Sequence, residues 1–154
     1  MIPCLPGDLT AARCVRTHPG PMPAECRVLI VENDDSLREG ATELLEENGY
    51  DVLAAKDGVD GLAMLQQIES GHLPDLILLD LWMPRMDGWQ FKDAVKKVPA
   101  FAKIPIVVFT ADRLSEDVLS IGADDYVVKP PDVDALLTTV AYFCNKRPIA
   151  AVAE

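Results

Sequence analysis

From residue 27 to residue 143 the chain alternates short, β-branched apolar runs with stretches whose apolar residues recur every three or four positions. The first kind of pattern marks buried strands and the second marks helices with one apolar face. Arg27 to Val31 reads as a strand, and Ser36 to Glu47 as a helix with Leu37, Ala41, Leu44 and Leu45 at helical spacing, ended by Asn48-Gly49. Asp51 to Ala55 is a weaker strand. Asp57 is placed to cap a helix running through Ile68, with Val59, Leu62, Ala63 and Leu65 as its apolar stripe. Asp75 to Leu79 is the third strand, followed by a helix over Gly88–Val98. Ile104 to Phe109 is the fourth strand, Leu114 to Ile121 a short helix, Tyr126 to Val128 a brief fifth strand and Val133 to Phe143 the last helix. Strands alternating with helices imply βαβ units, a parallel sheet and right-handed crossovers that put helices on both faces.

In such a sheet ligands bind outside the carboxyl ends of the strands, so the residues that end each strand carry the functional signal. Asp80 closes the third strand, just before the chain breakers Pro84 and Gly88. Glu32-Asn33-Asp34-Asp35 follows the first strand, Thr110-Ala111 the fourth and Lys129-Pro130 the fifth. Carboxylates, a hydroxyl and an amine would then meet at one crevice. Clustered oxygens suit a hard divalent cation such as Mg2+ (or Mn2+), which accepts one or two carboxylates completed by water and phosphate. A carboxylate can also serve as a nucleophile and form an aspartyl-phosphate, with lysine as a point charge for a phosphate oxygen.

These residues carry a family resemblance. The stretches Val28–Arg38, Asp75–Gly88, Val107–Ala111 and Gly122–Pro130 stand in the order and on the elements of the receiver domain of two-component response regulators, which the chain resembles over residues 27–144. The resemblance implies a flavodoxin-like, doubly wound α/β fold with a five-stranded parallel sheet in the order 2-1-3-4-5. It implies that Asp80 is the phosphoacceptor, and that Thr110 and Lys129 assist it. It also makes Thr110 and Tyr126 the switch pair. The metal would be held by Glu32, Asn33, Asp80 and the backbone carbonyl of Trp82, with Asp34 as a further candidate. The phosphodonor would be a sensor histidine kinase or a histidine phosphotransfer protein. The output would be an altered association with a downstream protein, and a homodimer stays open.

One position departs from the family pattern: Asn33 stands where an acidic metal ligand is usual. An amide oxygen brings no charge, and one lost unit charge close to the cation weakens binding by roughly a few kcal/mol. The alternative reading is therefore a pseudo-receiver, an interaction domain with weak or no phosphorylation. A phosphohydrolase with an aspartyl nucleophile fits poorly, because the acid/base Asp expected two positions after the nucleophile is Trp82 here. Trp82 beside the site and Asp112 after Thr110 are candidates for opposing effects on hydrolysis.

Composition narrows the rest. The chain has 154 residues, 49% hydrophobic and 25% charged, which suits one globular domain. A net charge of -11 argues against direct binding to nucleic acid or an anionic membrane surface. Residues 1–26 hold five of the twelve prolines and show no period, so they read as a poorly ordered arm. The receiver domain is expected over 27–145 and a short tail over 146–154, with no room for an output domain. Cys4, Cys14, Cys26 and Cys144 show no C-x-x-C spacing, nothing resembles a signal peptide, and the expectation is a cytoplasmic protein with free thiols.

Overall fold

The computed structural model describes residues 26–68, 72–110, 116–129 and 132–145. Within them the elements run β1 (Arg27–Val31), α1 (Asp35–Glu47), β2 (Asp51–Ala55), α2 (Gly58–Gln67), β3 (Leu76–Leu79), α3 (Gly88–Lys96), α4 (Pro99–Ala102), β4 (Ile106–Thr110), α5 (Glu116–Leu119), β5 (Asp125–Val128) and α6 (Val133–Asn145). All ladders are parallel, in the order β2-β1-β3-β4-β5. This is the flavodoxin-like sheet, and its chain order reverses between β1 and β3.

Both faces of the sheet are buried, which explains why the central strands are continuous apolar runs rather than alternating ones. Leu29, Val31, Ile77, Leu79, Ile106 and Val108 enter one core with Leu65, Phe91, Val95 and Val118 from α2, α3 and α5. Their neighbours Val28, Ile30, Leu76, Leu78, Val107 and Phe109 enter the other with Ala41 and Leu45 of α1 and Leu136 and Val140 of α6. The period of two along each strand thus divides one hydrophobic run between two cores.

Three local expectations need correction. Val59 is 37% exposed; the buried face of α2 is set by Gly58, Gly61 and Leu65 instead. A Cβ at Gly61 would lie 3.1 Å from both Phe91 and Val31, so the helix approaches the sheet through its small residues. The stretch expected as one helix over Gly88–Val98 ends at Lys96, and Pro99 opens the separate turn α4. This fits proline at a first helical position, with its fixed φ and missing donor. Strand β4 starts at Ile106 rather than Ile104, with the Pro105 carbonyl accepting from Ile77 N at 3.0 Å.

The largest correction concerns the thiols. Cys26 and Cys144 form a disulfide with Cα atoms 5.9 Å apart, and the two residues are 0% and 2% exposed. Cys26 lies immediately before β1 and Cys144 on the buried face of the closing helix, so folding brings together positions 118 apart. A search for close cysteine spacings is blind to such a pair. Cys26 therefore belongs to the core rather than to the N-terminal arm. Residues 1–25 with Cys4 and Cys14, Ala111, Asp112, Leu114, Pro130 and the tail from 146 lie outside the described residues. No helix among the described residues is long and apolar enough to cross a membrane.

Candidate functional site

The ladder continues one residue beyond the ends of β1, β3 and β5, and those three residues carry the charges of the site. Glu32 N donates to Ala55 O at 3.0 Å, Asp80 N to Val31 O at 2.9 Å, and Lys129 N to Thr110 O at 2.7 Å. Their backbones are thus fixed by the sheet before any side-chain contact is made. Glu32 is 1% exposed and Asp80 4%, and the Lys129 side chain is 9% exposed.

Lys129 Nζ lies 2.6 Å from Glu32 Oε1 and 3.2 Å from Asp80 Oδ1. It also stands 5.2 Å from the Phe109 ring centroid, a cation–π contact beneath the site. One ammonium between two buried carboxylates leaves excess negative charge. Burial raises the Glu32 carboxyl above its ordinary value of 4.5; Lys129 and the Asp34 amide pull it down, and the charge of Asp80 adds to the rise. Glu32 Oε2 accepts from Asp34 N at 2.9 Å. Oε1 has the ammonium nearby yet no hydrogen bond of good geometry. A buried acceptor held by charge alone, beside a second carboxylate, fits an additional cation.

A cleft of about 360 Å³ opens over these groups, lined by Glu32, Asn33, Asp34, Leu37, Asp80, Trp82 and Lys129. Six of the eight expected site residues therefore share one cleft. Asn33 and Asp34 are exposed at its rim, and Asp34 is already engaged: its Oδ1 accepts from Leu37 N at 2.9 Å as the N-cap of α1. Among the described residues no group of three His, Cys, Asp or Glu side chains is arranged to hold a metal. The buried acids are Glu32 and Asp80, with Asp34 exposed at the rim, so a divalent cation here also needs the Asn33 amide or the second Asp34 oxygen, a backbone carbonyl, and water or phosphate oxygens.

Trp82 sits at the mouth, 55% exposed, its ring 5.0 Å from Trp89 in an edge-on contact. Its backbone amide donates to Asp80 Oδ1 at 3.3 Å. Thr110 and Tyr126 do not line the cleft. Thr110 is fully buried at the end of β4. Tyr126 pairs in register with Val108, two positions short of the edge. Its hydroxyl donates to Leu119 O and accepts from Ala123 N, both at 3.3 Å, so the ring is tied to the end of α5.

Two polar contributors escaped the sequence reading. Arg38 Nη1 donates to Glu32 O at 2.9 Å, bracing the strand end from α1. Arg85 reaches back to buried Asp57, with Nε at 2.9 Å and Nη2 at 2.6 Å from Oδ2. Arg85 lies inside the turn Pro84–Gly88, whose breaker residues drew attention while the charge between them did not. Gly88 closes that turn. A Cβ there would stand 2.8 Å from Leu81 Cα and 2.9 Å from Asp80 O, so glycine is what lets α3 start against the site's backbone.

Comparison with known proteins agrees with this fold. The family model of the response regulator receiver domain matches residues 28–141. The DNA-binding dual master transcriptional regulator RpaA of Synechocystis is 37% identical over 117 residues, covering 74% of this chain and 47% of RpaA. Response regulator MprA of Mycobacterium bovis is 40% identical over 131 residues, covering 83% of this chain and 54% of MprA. The chain thus spans about half the length of these curated relatives. Among solved structures, chemotaxis protein CheY4 of Vibrio cholerae superposes with a TM-score of 0.70 at 31% identity, over 78% of this chain and 99% of CheY4. The receiver domain of the Pseudomonas aeruginosa sensor histidine kinase PA1611, described with magnesium in its active-site cleft, shares the fold at a TM-score of 0.71 and 24% identity, over 80% of this chain and 100% of that one. On these matches the chain belongs to the response regulator receiver domain family, signalling domains of two-component systems rather than classical enzymes.

Proposed function

We propose that this chain is a phosphorylation switch in which Asp80 accepts a phosphoryl group from a phosphohistidine, on a histidine kinase or a histidine phosphotransfer protein. The observation that carries the reading is the pair of buried carboxylates, Glu32 and Asp80, bridged by Lys129 beneath an open cleft. A purely structural ion pair would balance its charges. This one keeps a negative excess at the end of the sheet where ligands bind.

Lys129 and the Trp82 amide engage Asp80 Oδ1, which leaves Oδ2 to attack phosphorus. The new P–O bond forms as the P–N bond to the donor imidazole breaks, and the imidazole leaves with the electron pair and takes a proton. Lys129 follows the charge from the carboxylate to the phosphoryl oxygens. Glu32, Asp80, the Asn33 amide and the Trp82 carbonyl would hold Mg2+ or Mn2+, whose chemistry is to neutralise the transferring phosphoryl group. Thr110 supplies a hydroxyl to the phosphoryl group. Its displacement would make room for Tyr126 to leave Leu119 and Ala123, shifting the population of the α5–β5 face that a partner reads.

Asn33 favours a second reading, a domain that binds partners without phosphate. The test is acetyl phosphate with and without Mg2+, read by intact mass, with Asp80→Ala as control. Gain of one phosphoryl group, dependent on Mg2+ and absent from the control, supports the switch. A folded protein that gains nothing at high Mg2+ supports the second reading.

A further inference from the structure

Arg85 is the one non-glycine residue among those described with a positive φ, at 67°. Glycine or asparagine takes that conformation with little strain. An arginine there is held by contacts elsewhere, and they are specific. Both Nε and Nη2 converge on Asp57 Oδ2, and Nη2 reaches Asp60 Oδ1 at 3.3 Å. Asp57 is 3% exposed although its partner's side chain is 52% exposed. Its other oxygen, Oδ1, accepts from Asp60 N at 2.9 Å and caps α2. The anchor is therefore a buried carboxylate that caps α2, and its partner is an exposed arginine on the facing loop.

What the arginine pins is the loop between β3 and α3. That loop starts beside Asp80 and bears the Trp82 amide that touches Asp80 Oδ1. Its two ends are joined by Gly88 N donating to Leu81 O at 2.9 Å. At its far side Met86 packs so closely on Gly58 that a Cβ there would lie 2.8 Å from Met86 Cγ. The ends of the loop are thus fixed by the sheet and α3. The stretch between Trp82 and Met86 is held by the ion pair, by that packing contact and by a three-residue turn in which Met86 N donates to Pro84 O at 2.7 Å across Arg85.

We infer that Arg85 and Asp57 form a latch that positions the 81–87 loop, and through it the Trp82 backbone, against Asp80 for cation binding and phosphoryl acceptance. The inference rests on the phosphoryl reading above for its chemical half, while the latch itself is a claim about the loop. Both are positioning residues, acting through the Trp82 backbone rather than on the phosphoryl group. The acidity of Asp57 agrees: burial pushes its carboxyl up, but the Asp60 amide and the Arg85 guanidinium outweigh this and hold it below its ordinary value.

The decisive variant is Arg85→Gly, because glycine takes the positive φ without strain while removing the latch, and Asp57→Asn separates loss of the latch from the added freedom of a glycine backbone. Amide hydrogen exchange over residues 81–88 in the metal-free protein is the first readout, and it needs neither phosphate nor cation. At least tenfold faster exchange there, with the strands unchanged, is expected. The second readout is an Mg2+ titration followed by fluorescence of Trp82 and Trp89, the two tryptophans of the chain. The midpoint should rise threefold or more in Arg85→Gly, in a protein that still melts in one cooperative transition, and Arg85→Lys, with one donor group left, should recover part of it. Asp57→Asn should move both readouts in the same direction. Unchanged exchange in Arg85→Gly overturns the latch. Faster exchange with an unchanged Mg2+ midpoint and acetyl phosphate rate overturns the positioning role. If the parent protein itself takes neither Mg2+ nor phosphate, the phosphoryl reading falls, and faster exchange still supports the latch on the loop.

Discussion

The two ends of the sheet carry similar residues and use them differently. At the amino end, Asp75 Oδ2 accepts from Arg27 N at 2.9 Å while Asp75 N donates to Arg27 O at 2.7 Å. Asp124 does the same with Ile106, at 2.8 Å in each direction. Arg27 also pairs with Asp51 at 2.6 Å and donates to the His72 carbonyl at 2.6 Å. Each acid there closes a neighbouring strand and is spent in doing so. At the carboxyl end, Glu32 and Asp80 point at one ammonium and leave charge over. The acids at the amino end fasten the fold, whereas those at the carboxyl end leave charge for the cation and phosphoryl group proposed above. Natural sequences concentrate such local conflicts at functional sites.

The amino end also holds the disulfide, and breaking it tests how much that end contributes. Closing a loop of 118 residues removes denatured-state entropy equivalent to about 4–5 kcal/mol in the chain-entropy account. Cys26→Ala with Cys144→Ala, or reduction of the native protein, should lower the unfolding free energy from urea titration by most of that amount. The acetyl phosphate reaction of the folded fraction should be unaffected, because the pair lies at the opposite end of β1. Equal midpoints with and without reductant would show that the pair does not close in solution.

Removing the central cation from each end sharpens the contrast. Lys129→Met leaves two buried carboxylates unpaired and should cost about 3 kcal/mol near neutral pH. Arg27→Met breaks an ion pair whose Asp51 side is 48% exposed and should cost about 1 kcal/mol or less. Urea unfolding of the two variants side by side measures the difference. Equal costs would mean that the carboxyl end is an ordinary structural ion pair.

Most of this architecture was legible in the sequence because it depends on period. The continuous apolar runs of β1, β3 and β4 read as strands buried on both faces, and Asp57 marks a helix start where its side chain does cap. The site was legible for the same reason: strand ends are fixed once strands are, so Glu32, Asp80 and Lys129 had to meet. Contacts between distant segments were not legible. Cys26 with Cys144 and Asp57 with Arg85 leave no periodic trace, since their partners are set by crossover geometry and by a turn with a positive φ at Arg85. Val59 failed for a subtler cause. Glycines carry no hydropathy signal, yet Gly58 and Gly61 set which face of α2 meets the sheet.

Glycines also separate the two kinds of surface at the next level of effect. Gly88→Ala forces a Cβ to within 2.7 Å of Leu81 Cδ2 and 2.8 Å of Leu81 Cα, and should destabilise by about 1–3 kcal/mol through overpacking. It should also slow phosphoryl acceptance, since the backbone that must yield is that of Leu81 and Asp80. Gly40, inside α1, has nothing within 4 Å of the point where a Cβ would stand. Gly40→Ala should stabilise by roughly 0.5–1 kcal/mol. Thermal midpoints of the pair give opposite signs if the close approach at Gly88 is real.

The smallest effects come from single protons, and they have opposite signs at two buried acids. A change in protons bound alters stability by at most about 1.4 kcal/mol per pH unit for one group. Asp57 is held below its ordinary value of 3.8, so its contribution is present above that pH and is lost as pH falls through the folded-state value. Glu32 is raised above 4.5 by burial. Between 4.5 and its folded-state value the native protein binds more protons than the unfolded chain, so stability falls as pH rises through that window. Urea midpoints from about pH 2.5 to 7.5, in chelator, read both slopes. Asp57→Asn should flatten the acid limb alone, and Glu32→Gln should flatten the decline above pH 4.5 alone. A Glu32→Gln variant whose decline persists would mean that Lys129 already neutralises Glu32 fully, and the surplus charge that distinguishes the two ends of the sheet would have to reside on Asp80.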